Sequence, residues 1–194
     1  KTIKRITFRQ IKNKENIGYG KANNQGIRIA DSKYTLLLNS DAFIKQVDFE
    51  ALLQYLDQNP TIGLLTVKVV LPSGRVDPAS HRGFPTPWRS FTYFSGLEKT
   101  FKHIPILSKI FGGYHLTHLS LNTTHEIDSP TGAFYLARTA LLQKLKGFDP
   151  IFFMYGEDLD LSYRIKEAGY KVLYYPKYEV LHFKHQSGIK KRNP

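Results

Sequence analysis

Short apolar runs that alternate with stretches of helical spacing constrain this chain more than any other feature. Tyr34 to Leu38 is a continuous apolar run, apolar on both faces as a central parallel strand is. Residues 62–71, 132–137 and 170–175 also read as strands, closed by Pro72-Ser73-Gly74 after the first and by Pro176 after the last. Between them, residues 48–58 repeat apolar positions at helical spacing, with Asp48 as cap and Asn59-Pro60 as stop. Residues 139–146 read as a helix stopped by Gly147, and a further helix runs to Ala168 with Gly169 behind it. Residues 3–8 give a short strand with basic residues on its exposed side. The alternation predicts an α/β layered fold, and 194 residues suffice for one domain with a real core.

Three places in that frame carry chemistry-bearing residues. Asn39-Ser40-Asp41 follows the apolar run directly, and ligands of open α/β sheets bind beyond the carboxyl ends of strands. A carboxylate there can hold Mg²⁺ or Mn²⁺ against a nucleotide's phosphates, or simply cap the next turn. The loop 16–26 enters a helix through Gly18 and Gly20; glycines let backbone approach a ligand and helix-start amides can hold phosphate, although an ordinary turn has the same composition. In 152–161, Glu157, Asp158 and Asp160 stand beside Phe152, Phe153 and Tyr155. Carboxylates near aromatic surface cost free energy unless a cation or a proton-transfer role compensates. Acidic residues also favour the first turn of a helix, so capping and catalysis are both open on this stretch.

Composition narrows the partners. The formal charge is +12, from 28 Lys and Arg against 16 Asp and Glu, which favours anionic partners. With no cysteine, neither a disulfide framework nor a thiolate metal site can form. No apolar run has the length of a membrane span, the N-terminus lacks a signal-peptide core, and the sole methionine is Met154, so the chain reads as a fragment. Residues 81–125 are almost purely basic and aromatic, with Glu98 their sole acid. Within them 101–111 has the composition of an interfacial membrane segment, and equally that of an internal excursion packed on the domain. Pro105 in its middle argues against one straight helix. No nucleic-acid recognition motif is present, so nucleic acid is not an expected partner.

The ordered set Asn16-x-Gly-Tyr-Gly-x-Ala-Asn-Asn-x-Gly, Leu-Leu-Asn39-Ser-Asp41, Thr131-Gly-Ala-Phe, Gly147-Phe-Asp, Tyr155-Gly-Glu-Asp158-x-Asp, Ala168-Gly-Tyr and His182 with Ser187 resembles family 2 glycosyltransferases of the GT-A fold. It is most similar to bacterial rhamnosyltransferase-like members that build cell-surface polysaccharides. The resemblance implies a mostly parallel central sheet flanked by helices. It also implies inverting transfer of a sugar from a nucleotide diphosphate sugar to a hydroxyl of a glycan or lipid-linked acceptor, at the cytoplasmic face of the plasma membrane.

By the same resemblance Asp158 is the catalytic base, supported by Glu157, with Asp160 and Tyr155 on the acceptor side. Asn16, Gly18, Asn23, Asn39, Asp41 and Gly132 contact the donor, and Asp41 with His182 holds Mg²⁺ or Mn²⁺. Asn39 and Ser40 depart from the usual Asp-x-Asp or Asn-Pro-Asp form. The family's first strands, with their base and ribose contacts, would precede Lys1. A non-catalytic basic module that holds an anionic glycan on the same fold is the alternative expectation.

Overall fold

The computed structural model describes residues 7–184, so most of the strand expected at 3–8, together with Ser187 of the motif set, lies outside the described residues. In chain order the elements are α1 (Tyr19–Ile29), β1 (Tyr34–Leu38), β2 (Ala42–Gln46), α2 (Phe49–Gln58), β3 (Ile62–Val70), a 3-10 turn at Pro78–Ser80, α3 (Pro87–Phe94), α4 (Leu97–Phe101), α5 (Pro105–Phe111), β4 (His125–Ile127), β5 (Phe134–Arg138), α6 (Thr139–Lys144), α7 (Glu157–Glu167) and β6 (Lys171–His182). Asp48 caps α2 as its sequence requires, its carboxylate accepting from the Ala51 amide at 3.0 Å. Pro105 opens α5 instead of bending a longer helix, because a first-turn proline has no amide to waste.

The strands form one sheet in the order β1-β5-β3-β6-β2, with β4 also paired to β6. The expectation of a mostly parallel sheet needs correction: β3 and β6 are parallel, whereas β1/β5, β3/β5, β2/β6 and β4/β6 are antiparallel. Nor is β1 central. Among the described strands it lies at the edge, with most of its side chains half-buried. A run apolar on both faces reports two-sided cover, which any strand between helical layers has; it carries no information on direction.

Strand β6 also continues through Pro176. Val67 of β3 pairs with Tyr175 and Lys68 with Glu179, so residues 176–178 bulge out of the ladder. A bulge tolerates a residue without an amide hydrogen, which is why proline does not end the strand.

Alternation along the strands sorts apolar side chains to two faces. Tyr135, Leu64, Val172 and Tyr174 pack with Ile27, Leu142, Leu161 and Ile165 from α1, α6 and α7. Phe134, Leu136, Leu65 and Val67 pack on the other face with Leu52 and Leu56 of α2. Each fully buried aliphatic side chain contributes about 1.5–3 kcal/mol, so both layers are firmly attached.

One polar clasp seats α1. The buried Asn24 donates from Nδ2 to the Phe148 carbonyl at 2.7 Å and accepts at Oδ1 from the Phe148 amide at 2.8 Å. Gly147 precedes it at φ 66°, and a β-carbon there would run into Asn24 Oδ1. The Gly-Phe pair is therefore needed for packing as well as for turning the chain.

Candidate active site

Strands β1, β3 and β6 all run in one direction, since β5 is antiparallel to both β1 and β3. Their carboxyl ends share an edge of the sheet, and β5 begins there. Asp41 sits in the turn after β1, and the Asp77 amide donates to the Val69 carbonyl at 2.8 Å just beyond β3. His182 closes β6 opposite Ala42, and the Phe183 amide donates to the Asp41 carbonyl at 2.9 Å.

These three side chains form a buried row. His182 Nε2 lies 3.3 Å from Asp41 Oδ1, and its Nδ1 lies 3.4 Å from Asp77 Oδ2. The second contact is too poorly aligned for a hydrogen bond, leaving His182 Nδ1 and Asp77 Oδ2 without one among the described residues. Asp77 is fully enclosed, and its Oδ1 accepts from the Ala79 amide at 3.0 Å and from Lys184 Nζ at 3.1 Å. Burial pushes the Asp77 carboxyl up, but His182, the Ala79 amide and Lys184 outweigh it and hold the group at about 2.

A second acidic point lies along the same edge. Tyr155 at φ 67° and Gly156 at φ 92° take successive left-handed conformations, which aim the chain into α7. Such a conformation costs a non-glycine residue about 1–2 kcal/mol, so this turn is held by its surroundings. Asp158 then accepts from Arg82 Nη2 at 2.7 Å on Oδ2 and from the Leu159 amide at 2.8 Å on Oδ1, with its side chain 14% exposed. Each oxygen keeps a free lone pair. Glu157 Oε2 is buried without a partner; burial, then the Asp158 charge, raises its pKa against the pull of its own backbone amide.

The segment 129–133 joins the two points. Its Ala133 carbonyl accepts from the Asn39 amide at 3.4 Å, its Gly132 carbonyl from Tyr19 OH at 3.1 Å, and its Pro130 carbonyl from the same Arg82 Nη2 at 3.2 Å. Burial, followed by the charges of Glu157 and Asp158, keeps Tyr19 protonated and therefore a donor. Asn39, two residues before Asp41, and Arg82, which holds Asp158, thus both bond to this one segment.

The other expected site residues fall as follows. Asn16 Oδ1 accepts from the Gly18 amide at 3.0 Å, which orients the mouth of α1. A β-carbon on Gly18 would meet the Phe153 carbonyl at 2.6 Å, and one on Gly132 would meet Tyr19 OH at 2.6 Å, so both glycines serve close packing between the site's own segments. Asn23 turns its amide back to the Tyr19 carbonyl at 2.9 Å. Asn39 Oδ1 is buried and unpaired. Asp160 binds Arg164 at 2.6 and 2.9 Å, and that guanidinium holds the Leu145 and Gly147 carbonyls, which makes the pair a brace for the 145–147 loop. Tyr155 is 81% exposed.

Sequence reading missed three residues. Asp77 follows a strand as Asp41 does, so the same edge rule finds it. Arg82 sits among other cations with nothing to single it out, and Tyr19 stands between the two motif glycines, where the backbone drew the attention.

The family model described as "Glycosyltransferase like family 2" matches residues 4–192. The chain belongs to that family. It is 27% identical over 177 residues to the rhamnosyltransferase WbbL of Escherichia coli (strain K12), a match covering 87% of this chain and 61% of that protein. It therefore spans about three-fifths of that relative's length. Over 59 residues, 30% of the chain and 19% of the relative, it is 42% identical to the N-acetylglucosaminyl-diphospho-decaprenol L-rhamnosyltransferase of Mycobacterium tuberculosis (strain ATCC 25618 / H37Rv). Among solved structures it resembles GalNAc-T7, crystallised with UDP, GalNAc and Mn²⁺, at TM-score 0.60 and 16% identity over 94% of this chain and 33% of that one. It also resembles A197 from STIV at TM-score 0.50 and 14% identity, over 84% of this chain and 64% of that one. The fold is GT-A.

The edge residues also fit a divalent cation. Hard cations bind oxygen and imidazole at about 2.0–2.2 Å, so adjacent ligands of an octahedral ion stand about 3 Å apart. Asp41 Oδ1 and His182 Nε2 are 3.3 Å apart, and the unpaired Asn39 Oδ1 belongs to the same turn as Asp41. Among the described residues no group of three or more His, Cys, Asp or Glu is placed to hold a metal ion by itself.

Proposed function

We propose that this chain provides the reacting edge of an inverting glycosyltransferase, which moves a sugar, rhamnose in the first instance, from a nucleotide diphosphate sugar to a hydroxyl of a glycan or lipid-linked saccharide. One observation supports the reading: the turn that carries Asp41 and the arginine that holds Asp158 both bond to the segment 129–133 at the start of β5. The names of the two rhamnosyltransferase relatives support the choice of sugar.

In this reading the diphosphate lies toward Asp41 and the acceptor toward Asp158. Asp158, oriented by Arg82 and the Leu159 amide, accepts the acceptor's proton as its oxygen bonds the sugar's anomeric carbon. The bond from that carbon to the diphosphate breaks on the opposite face, which inverts the centre. Asp41, His182 and the Asn39 oxygen would hold Mg²⁺ or Mn²⁺, a choice supported by the Mn²⁺ and UDP bound in GalNAc-T7. When bound, the cation would neutralise the charge gathering on the leaving diphosphate. Asp77 orients His182, and Tyr19 shapes the wall between the two ends.

The test is transfer by the protein with a panel of nucleotide diphosphate sugars, rhamnose donors first, with and without Mn²⁺, read by mass spectrometry of the product. Transfer by the wild type and its loss in Asp158→Asn with donor binding intact is the expected result. Binding of glycan without turnover of any donor would replace the enzyme by a binding module.

A further inference from the structure

Helices α3, α4 and α5 present an apolar surface over which nothing packs among the described residues. Trp88, Phe91 and Phe94 follow one side of α3, and all are exposed, Phe94 by 83%. Ile104, Ile106 and Ile110 do the same on and before α5, with Ile106 exposed by 74%. The two rows are continuous: Trp88 Nε1 donates to the Ile110 carbonyl at 3.0 Å, and the Trp88 ring lies 5.9 Å from Phe111. A contiguous patch of this kind on a folded domain marks an interaction site, whereas single exposed apolar residues need no explanation.

The charges around it identify the partner. Lys99 on α4, Lys102 just after it and Lys109 on α5 are exposed, while Glu98, the sole acid between residues 81 and 125, is 5% exposed and turned inward. Its carboxylate accepts from His115 Nδ1 at 2.6 Å and from the His115 amide at 3.3 Å. Folding thus removes the only negative group and leaves a surface of aromatics, aliphatics and lysines. That composition suits the headgroup boundary of an anionic bilayer, where rings and isoleucines enter and ammonium groups meet lipid phosphate.

We propose that α3–α5 form a docking face for anionic lipid, on which the protein lies without crossing the membrane. No helix among the described residues is long and apolar enough to cross. The face is coupled to the acidic edge. Arg89 of α3 donates to Asp128 at 2.7 Å, the Asp128 amide donates to the Arg82 carbonyl at 3.0 Å, and Arg82 holds Asp158. Docking would therefore present the Asp158 end at a fixed height above the lipid. The claim rests on the surface alone and stands or falls apart from the transfer chemistry.

Flotation of the protein with phosphatidylcholine vesicles, with and without phosphatidylglycerol, tests it. Binding should require phosphatidylglycerol and weaken with salt. The triple variant F91S/F94S/I106S should lose it while keeping the wild-type thermal unfolding curve, because these side chains are exposed. Lys99→Gln and Lys102→Gln should each weaken partitioning about fivefold. The proposal is overturned by failure to float with anionic vesicles, or by undiminished flotation of the triple variant. It is overturned too if the wild type is a dimer that the triple variant converts to monomer, since a second copy would then cover the face.

Discussion

Asp158 faces an arginine and Asp41 a histidine, and the two pairs differ in geometry. Arg82 donates through one nitrogen to both Asp158 and the Pro130 carbonyl, so Asp158 is fixed in direction. His182 turns its two nitrogens to two carboxylates, without a well-formed hydrogen bond between Nδ1 and Asp77. One end is a rigid ion pair and the other an under-bonded row. That contrast fits the proposed tasks: a base must point one way, whereas the diphosphate end must exchange partners as cation and donor arrive.

The sharpest way to break the contrast is Asp158→Asn. Turnover should fall about 10²–10⁴-fold with donor affinity unchanged in a titration, the usual cost of losing a positioned base. Retained turnover would assign the proton elsewhere.

Acid should separate the two ends by window. His81, next to Arg82, is held at about 4, chiefly by burial, in a pair with His125 at 2.6 Å between Nε2 atoms. Its folded pKa lies below the ordinary 6.5, so the unfolded chain binds more protons between those values and stability falls as pH drops from 6.5 to 4. The loss amounts to about 3 kcal/mol at most. Asp77 loses its own contribution only lower, between 3.8 and about 2. Denaturant unfolding against pH should show both windows, and His81→Gln should shrink the upper one alone, leaving the part due to His118 and His125, which burial also shifts down.

A third change tests what the two ends share. Asn24→Ala strands the Phe148 amide and carbonyl and should cost about 2 kcal/mol, read as a lowered Tm. Since α1 carries Tyr19, activity should drop without favouring either end. The smallest effect belongs to Asp77→Asn, which leaves His182 less firmly oriented. Mn²⁺ affinity by calorimetry should weaken about tenfold, with the fold intact. An unchanged affinity would remove Asp77 from the metal's surroundings.

What sequence could deliver depended on how local the cause was. Asp48 capping α2, Gly169 ending α7 and Asp41 beyond β1 follow from neighbours within a few residues, and each lies where expected. The direction of β5 and the edge position of β1 depend on pairings across more than 90 residues, which an apolar run cannot encode. Likewise the partner of Asp158 is chosen by tertiary structure. Arg82 is 76 residues away, while Asp160, equally acidic and in the same turn, is taken by Arg164 four residues on.

The order of the sheet has a consequence for synthesis. Strand β2 pairs with β6 alone, and β6 is inserted between β3 and β2. A nascent chain emerging from the ribosome has made residues 42–46 long before residues 179–182 exist, so β2 must wait for its β6 partner while the intervening residues are made. The row of Asp41, Asp77 and His182 therefore forms late, although its first residue is translated early, and a ribosome stalled before His182 would expose a chain with a core in which that row is incomplete.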